Sequence, residues 1–351
     1  MEQTLQEKLA FLPQALLPWY DKNARQLPWR ETKEPYHVWL SEIMLQQTRV
    51  EAVKGYYKNF LTALPDIKSL AEADDATLLK LWEGLGYYSR VRNLKKAAAL
   101  IMTQFKGVFP DRYEDILSLP GIGTYTAGAI ASICFDQPKP AVDGNVLRVI
   151  ARIGALNTPI DLASFKKEIS SLLEACYPKN RCGDFTQSLM ELGATVCVPN
   201  GVPHCASCPI RDICNAYKTN TQEDFPKRSP KKLRKIEEHT VFLLKCGDKF
   251  AICKRASQGL LAGMWEFPNT PGTLSKEQAA SHLKNFGLSV IDIVHSAKRK
   301  HIFTHIQWDM RCYTFTVEAE CDAFFWVTRD SLSSQIALPT AFRQFCELLE
   351  T

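Results

Sequence analysis

The sequence predicts a mainly α N-terminal domain joined to an α+β C-terminal domain, and three observations carry that reading. Up to about residue 218, apolar residues return every three or four positions in one segment after another, the spacing of helices with one buried face. A polar stretch from 219 to 236, holding two prolines, then breaks the pattern as a linker does. Beyond it, runs such as HTVFLLKC and KFAICKR alternate in the manner of strands. The domains are therefore expected at 1–218 and 237–351. With 351 residues, 46% of them apolar, the chain is long enough for two cores.

Each element has its own signal. EPYHVWLSEIMLQQTRVEAVKGYYKNF opens at Pro35 and reads as one long helix, its stripe formed by Trp39, Ile43, Val50, Val53, Tyr57 and Phe60. DDATLLKLWEGLG and YYSRVRNLKKAAALIMTQFKG both end on glycine, a common helix stop. YEDILS is a short helix, and DLASFKKEISSLLEACYP is expected to open on Asp161 and end at Pro178. Between them AVDGNVLRVIARIG places Asp143 to cap a helix from about Asn145 to Ile153. The linker carries Lys227, Arg228, Lys231, Lys232, Arg234 and Lys235, either a solvated tether or a run that lies along phosphates. In the second domain FTHIQWDM and RCYTFTV read as strands, and KEQAASHLKNFGL as an amphipathic helix.

The N-terminus lacks a basic segment followed by an apolar run, and no stretch approaches the ~18 apolar residues of a membrane span. A cytoplasmic protein with no membrane partner is expected. In a reducing compartment, twelve cysteines point to small core residues and a metal site rather than to disulfides. A formal charge of +5 mildly favours an acidic partner.

Four of the cysteines crowd into CVPNGVPHCASCPIRDIC, where Cys197, Cys205, Cys208 and Cys214 have the spacing Cx7Cx2Cx5C. Thiolates that close can converge on one inorganic group, and Pro199 and Pro203 stiffen the approach. Structural zinc is one reading, but zinc ribbons bring two CxxC knuckles and only Cys205 and Cys208 form such a pair. A 4Fe-4S cluster fits better. The other cysteines (134, 176, 182, 246, 253, 312, 321 and 346) lie mostly in apolar runs and read as core.

LPGIGTYTAGAIASICF sets Gly121 and Gly123 in a tight turn before a helix of small residues. Amides exposed at such a helix N-terminus suit an anion, and a DNA phosphate is one such anion. On the helix of SEIMLQQTRV, Glu42 has Val38, Trp39 and Leu45 as neighbours three or four positions away. A carboxyl among apolar groups gains pKa and can donate a proton near neutrality. An ordinary surface glutamate and an ordinary capping aspartate are the plainer readings of Glu42 and Asp143.

Taken together, SEIMLQQT, GLGYYSRVRNL, LPGIGTYTAGAI, VDGNVLRV and the cysteine loop resemble the helix-hairpin-helix DNA glycosylases, and within them the MutY family specific for adenine. The resemblance implies a helix-hairpin-helix domain with a 4Fe-4S loop, followed by a Nudix-like domain. It implies hydrolysis of the N-glycosidic bond of adenine mispaired with 8-oxoguanine or guanine in double-stranded DNA, by a monomer. Glu42 would protonate adenine at N7, and Asp143 would stay ionised beside the sugar cation. Tyr125 and Asn145 would position Asp143 and the water. Relatives that also cleave the strand carry a lysine where this chain has Tyr125, so the imine route lacks its nucleophile. Gln47 and Tyr87 would wedge the vacated stack, while Trp29, Arg30 and Gln187 would line the adenine pocket. The family's loop commonly has six residues between the first two cysteines; this one has seven.

Residues 259 to 288, beginning GLLAGMWEFP, resemble the start of a Nudix domain, yet KEQAASHLKNFGL lacks the glutamate-rich helix that binds magnesium in a working Nudix hydrolase. The resemblance instead implies a reader of 8-oxoguanine built on a Phe-Ser-His loop, here Phe303, Thr304 and His305, with the hydroxyl kept. Two alternatives stand beside this: a glycosylase with lyase activity, and a nonenzymatic zinc-bearing DNA-binding module.

Overall fold

The structure, a computed structural model, describes residues 3–230 and 233–349. It divides into two compact units, Met1–Glu72 with Arg92–Pro230, and Ala73–Val91 with Lys231–Thr351. Among the described residues no helix is long and apolar enough to cross a membrane.

The first unit is helical. Its helices are α1 (Leu5–Asn23), α2 (Pro35–Leu45), α3 (Val50–Ala63) and α4 (Ile67–Glu72); α5 (Asp75–Leu81) belongs to the second unit. From Arg92 on, α6 (Ser89–Gln104) continues it, then α7 (Tyr113–Ser118), α8 (Thr124–Phe135), α9 (Gly144–Gly154), α10 (Ala163–Glu174), α11 (Cys182–Thr195) and α12 (Asn215–Lys218). Leu9, Leu12 and Leu16 of α1 pack against Val149, Ile150 and Ile153 of α9 and Phe185, Leu189 and Leu192 of α11. Each such fully buried aliphatic side chain contributes about 1.5–3 kcal/mol, so the spacing of three and four holds α9 and α11 side by side.

Two expectations fail here. The long helix expected from Pro35 is two helices, because Gln46 leaves helical geometry at ψ 111 and Gln47 takes a left-handed φ of 58 before α3 begins. Asp161 does not cap α10, whose N-cap is Leu162; its carboxylate instead accepts from the Ser229 amide at 2.9 Å.

The hairpin between α7 and α8 needs glycine at one of its two positions. Gly121 has φ 79, and a Cβ there would lie 2.6 Å from the Asn93 Cβ. Gly123, the N-cap of α8, has φ −98, which any residue can adopt, and a Cβ on it would meet nothing within 4 Å.

The second unit is built on a mixed sheet with strands β1 (Lys235–Cys246), β2 (Lys249–Lys254), β3 (Trp265–Glu266), β4 (Asn269–Pro271), β5 (Val290–Ile302), β6 (Ile306–Val317) and β7 (Phe325–Thr328). The order runs β3-β2-β1-β6-β5, with β4 paired to β1 and β7 to β2; β1 and β6 are parallel. Alternation along β1 sends Phe242 and Leu244 to one face, under Leu283 of α13 (Lys276–Lys284). Val241 and Leu243 go to the other face, under Leu332 of α14 (Arg329–Ser334) and Phe342 of α15 (Thr340–Arg343). FTHIQWDM and RCYTFTV are not two strands: from Ile306 on they form the single strand β6, and residues 303–305 turn the chain back from β5.

The division also departs from the expected boundary at 218/219. Residues up to 230 join the helical unit through Arg152, whose Nε donates to the carbonyls of Gln222 (2.9 Å) and Phe225 (3.1 Å), and through the Ile160 amide on the Lys227 carbonyl (3.0 Å). Lys231 and Lys232 of the basic run lie outside the described residues. Residues 73–91 join the second unit because Lys80 donates to the Ser333 and Ile336 carbonyls at 2.6 and 3.1 Å, while Glu83 accepts from the Leu338 amide at 3.0 Å.

Candidate active site

Within the helical unit a cavity of about 440 Å³ opens between α2, α8, α9 and α11. Eight residues singled out from the sequence line it: Trp29, Arg30, Glu42, Gln47, Tyr125, Asp143, Asn145 and Gln187. Local structure explains how they meet. The break at Gln46 and Gln47 ends α2 one turn after Glu42 and turns Gln47 onto the cavity wall. Asn145 reaches it because α11 is smooth at Gly193, where a Cβ would stand 2.6 Å from the Asn145 Cβ.

The two carboxylates are differently placed and held: Glu42 is buried and Asp143 half-buried. Glu42 is 6% exposed. Burial and the nearby Asp143 charge outweigh a Tyr125 hydrogen bond and the Arg30 charge, and push its carboxyl up to about 7. Asp143 is the N-cap of α9: Oδ1 accepts from the Val146 amide at 2.8 Å and Oδ2 from Asn145 Nδ2 at 2.7 Å. Burial raises its pKa too, but those bonds and the Arg148 charge favour its anion. Asp143 thus accepts two bonds that oppose its protonation, whereas Glu42 accepts one, from Tyr125.

Tyr125 stands elsewhere than the resemblance implied. Its hydroxyl donates to Glu42 Oε2 at 2.7 Å rather than to Asp143. Asn145, as expected, meets Asp143, and is itself held by Arg148 Nη2 on its Oδ1 at 2.8 Å. Arg148 Nε donates in turn to the Cys197 carbonyl at 2.8 Å. Sequence reasoning missed Arg148. It also missed Glu191, whose fully buried carboxylate ties Arg25 and Arg30 together beside the cavity. A buried-face position on an amphipathic helix is the one signal that marks such charged residues in sequence.

Cys197, Cys205, Cys208 and Cys214 line one small space with Val149, Ile153 and Leu192. Burial pushes the Cys208 thiol up to about 12, with the other three sulfurs adding to the rise. Arg152 Nη1 lies 3.1 Å from Cys197 Sγ. No trio of His, Cys, Asp or Glu side chains among the described residues is drawn together as around one metal ion.

The remaining singled-out residues are not among those that line the cavity. Gly121 and Gly123 form the α7–α8 hairpin, and α8 has no side-chain cap. In the second unit, Phe303 is not presented outward: its ring packs on Trp308 and His301, at centroid distances of 4.9 and 4.5 Å. Its amide closes the turn on the Ile306 carbonyl at 2.8 Å, leaving Thr304 and His305 exposed at the tip. Tyr87, with φ 47, belongs to the same unit, and its hydroxyl lies 2.7 Å from Thr304 Oγ1.

Residues 40–175 match the model of the HhH-GPD superfamily of base excision DNA repair proteins, and residues 240–348 that of the NUDIX domain. An adenine DNA glycosylase of Buchnera aphidicola subsp. Acyrthosiphon pisum is 35% identical over 293 residues, covering 83% of this chain and 83% of its own. One of Arabidopsis thaliana is 36% identical and covers 83% of this chain, which spans 55% of that protein's length. Among solved structures, a thermostable thymine-DNA glycosylase is 28% identical with a TM-score of 0.55, covering 61% of this chain and 98% of its own.

Proposed function

Because the chain belongs to the adenine DNA glycosylases, within the HhH-GPD superfamily of base excision DNA repair proteins, we propose that it is a monofunctional enzyme hydrolysing the N-glycosidic bond of adenine opposite 8-oxoguanine or guanine in double-stranded DNA. The observation that carries the proposal is the pair of carboxylates in one cavity, the buried Glu42 poised to hold a proton near neutrality and the half-buried Asp143 accepting two hydrogen bonds that favour its anion. Adenine leaving as an anion is a poor leaving group, and the sugar it leaves turns cationic. Glu42 gives its proton to the base, and Asp143 stabilises the sugar as charge develops. Asn145 fixes the Asp143 oxygen, and Tyr125 fixes Glu42. Water completes the hydrolysis. No lysine lines the cavity among the described residues, which supports hydrolysis without strand cleavage.

The base must be turned out of the duplex to enter the cavity. Gln47 at its rim would fill the vacated stack; within the second unit, Tyr87 is assigned to wedging the duplex and the exposed Thr304 and His305 to reading the opposite base. The uncapped α8 N-terminus at Gly123 offers amides to a phosphate. Four thiols ringing a common space suit a group larger than one ion, and Arg152 supplies positive charge beside them. We assign Cys197, Cys205, Cys208 and Cys214 as ligands of a 4Fe-4S cluster, which when bound cross-links the loop. The enzyme is taken to work as a monomer in the cytoplasm.

The test is adenine release from duplexes with each base opposite adenine, for wild type, Glu42→Gln and Asp143→Asn. Release confined to 8-oxoguanine and guanine partners, and lost in both variants, supports the proposal. No release by wild type rejects it. A borohydride-trapped adduct with DNA would favour a lyase, and zinc without iron or sulfide would remove the cluster assignment.

A further inference from the structure

Beside the cavity lies a group of three charges, two partly exposed arginines around one buried carboxylate. Glu191, on α11 one turn beyond Gln187, has a side chain with 0% exposure. Its Oε1 accepts from Arg25 Nε at 2.6 Å and from the Arg25 amide at 3.1 Å; its Oε2 accepts from Arg25 Nη2 at 3.0 Å and Arg30 Nη2 at 2.8 Å. Arg30 Nη1 donates to the Arg25 carbonyl at 3.1 Å. Both arginines line the cavity that holds Glu42. Two guanidinium groups and one carboxylate leave one net positive charge there.

We infer that Glu191 is a positioning residue for the proton transfer: it offsets the Arg25 and Arg30 charges and so sets the field in which Glu42 holds its proton. The inference rests on the reading of Glu42 as the acid. Glu42 is faced by Asp143 from α9, by Tyr125 and the Cys134 thiol from α8, and by Arg30 from the turn before α2. Of these, Arg30 is the cation, and it favours the Glu42 anion. Remove the Glu191 charge and Arg30 acts on Glu42 unopposed, so the proton is lost at lower pH. Remove Arg25 instead, and the local charge falls by one, so the proton is kept to higher pH. Opposite signs are expected from two residues that touch each other, which a merely structural role for the cluster does not produce.

The experiment follows single-turnover adenine release from an A:8-oxoguanine duplex between pH 5 and 9 for wild type, Glu191→Gln, Glu191→Asp and Arg25→Gln. For Glu191→Gln the declining limb moves down, so that its rate at pH 8 falls about tenfold below wild type, with a change under about threefold at pH 5.5. Glu191→Asp restores the limb, and Arg25→Gln moves it up. Unmoved limbs, shifts in one direction for both residues, an unrestored limb in Glu191→Asp, or a loss uniform across pH overturn the inference. Should Glu191→Gln not fold, Arg25→Gln decides by itself, since an upward shift supports the inference and any other result overturns it. Wild type without adenine release would instead defeat the function on which the inference rests.

Discussion

The Tyr125 hydroxyl donates to Glu42 Oε2 at 2.7 Å, and this bond opposes the burial that pushes the Glu42 carboxyl up to about 7. A donor to a carboxylate favours its charged form. An acid must be protonated to act, so excision is lost as pH rises through the Glu42 pKa, while the need for an ionised Asp143 sets a separate acidic limb. Wild type should therefore decline above about pH 7. Tyr125→Phe removes the bond, raises the pKa further and carries the decline to higher pH. Were Tyr125 positioning Asp143 instead, the same variant would slow the reaction at every pH and leave the limb in place. A pH profile of single-turnover excision separates the two.

Asp143 does two things that substitution can separate. It caps α9 through the Val146 amide and presents a charge to the cavity. Asparagine caps helices as well as aspartate, whereas alanine in place of a cap costs about 1 kcal/mol. Asp143→Asn should keep wild-type unfolding behaviour, and Asp143→Ala should lose about that 1 kcal/mol. Both should lose excision by at least ~100-fold, as expected for removing a group aimed at developing charge. Denaturant unfolding alongside excision rates reads both; an active Asp143→Asn would remove the charge from the mechanism.

Local signals in the sequence located much of this site. The Asp143 cap, the apolar neighbours of Glu42 and the four cysteines each involve residues within one helix or loop, where spacing determines who meets whom. The break at Gln46 and Gln47 carried no glycine or proline to mark it. Tyr125 reaches Glu42 rather than Asp143 because three helices set the register between them, and no spacing along one segment encodes that. The Glu191 pairing with Arg25 joins residues 166 apart. Strand β5 was missed because VIDIVHSAKRKHI puts charges where a two-sided pattern needs apolar residues. Residues 73–91 follow the second unit through Lys80 and Glu83, whose partners lie more than 250 positions away.

Arg148 holds the Asn145 carbonyl oxygen and the Cys197 main chain with separate nitrogens of one guanidinium. Lysine keeps the charge but cannot present that fork. In Arg148→Lys the Asn145 amide is free to turn from Asp143, and excision should slow by about tenfold, the effect of one buried charged hydrogen bond. Iron and sulfide content, measured on the same sample, should stay at the wild-type level because the four thiols are untouched. A normal rate would show that Asn145 keeps its orientation without Arg148.

Tyr87 and Thr304 lie far apart in sequence yet share a hydrogen bond of 2.7 Å within one unit. The resemblance gave them separate tasks, wedging the duplex and reading the opposite base. Their bond makes them one device: the threonine hydroxyl is aimed by the tyrosine, and the tyrosine, held at φ 47 in a loop, is steadied by the threonine. Thr304→Val keeps the shape and deletes the hydroxyl, and Tyr87→Phe deletes the other partner. Each should lower the preference for A:8-oxoguanine over A:G by about fivefold, corresponding to about 1 kcal/mol for one hydrogen bond. The double variant should lose little beyond either single one, because the second substitution removes a bond already broken. Ratios of excision rates on the two duplexes, measured for all four proteins, complete the cycle. Losses that multiply would show two independent contacts, and the bond would then be incidental to discrimination.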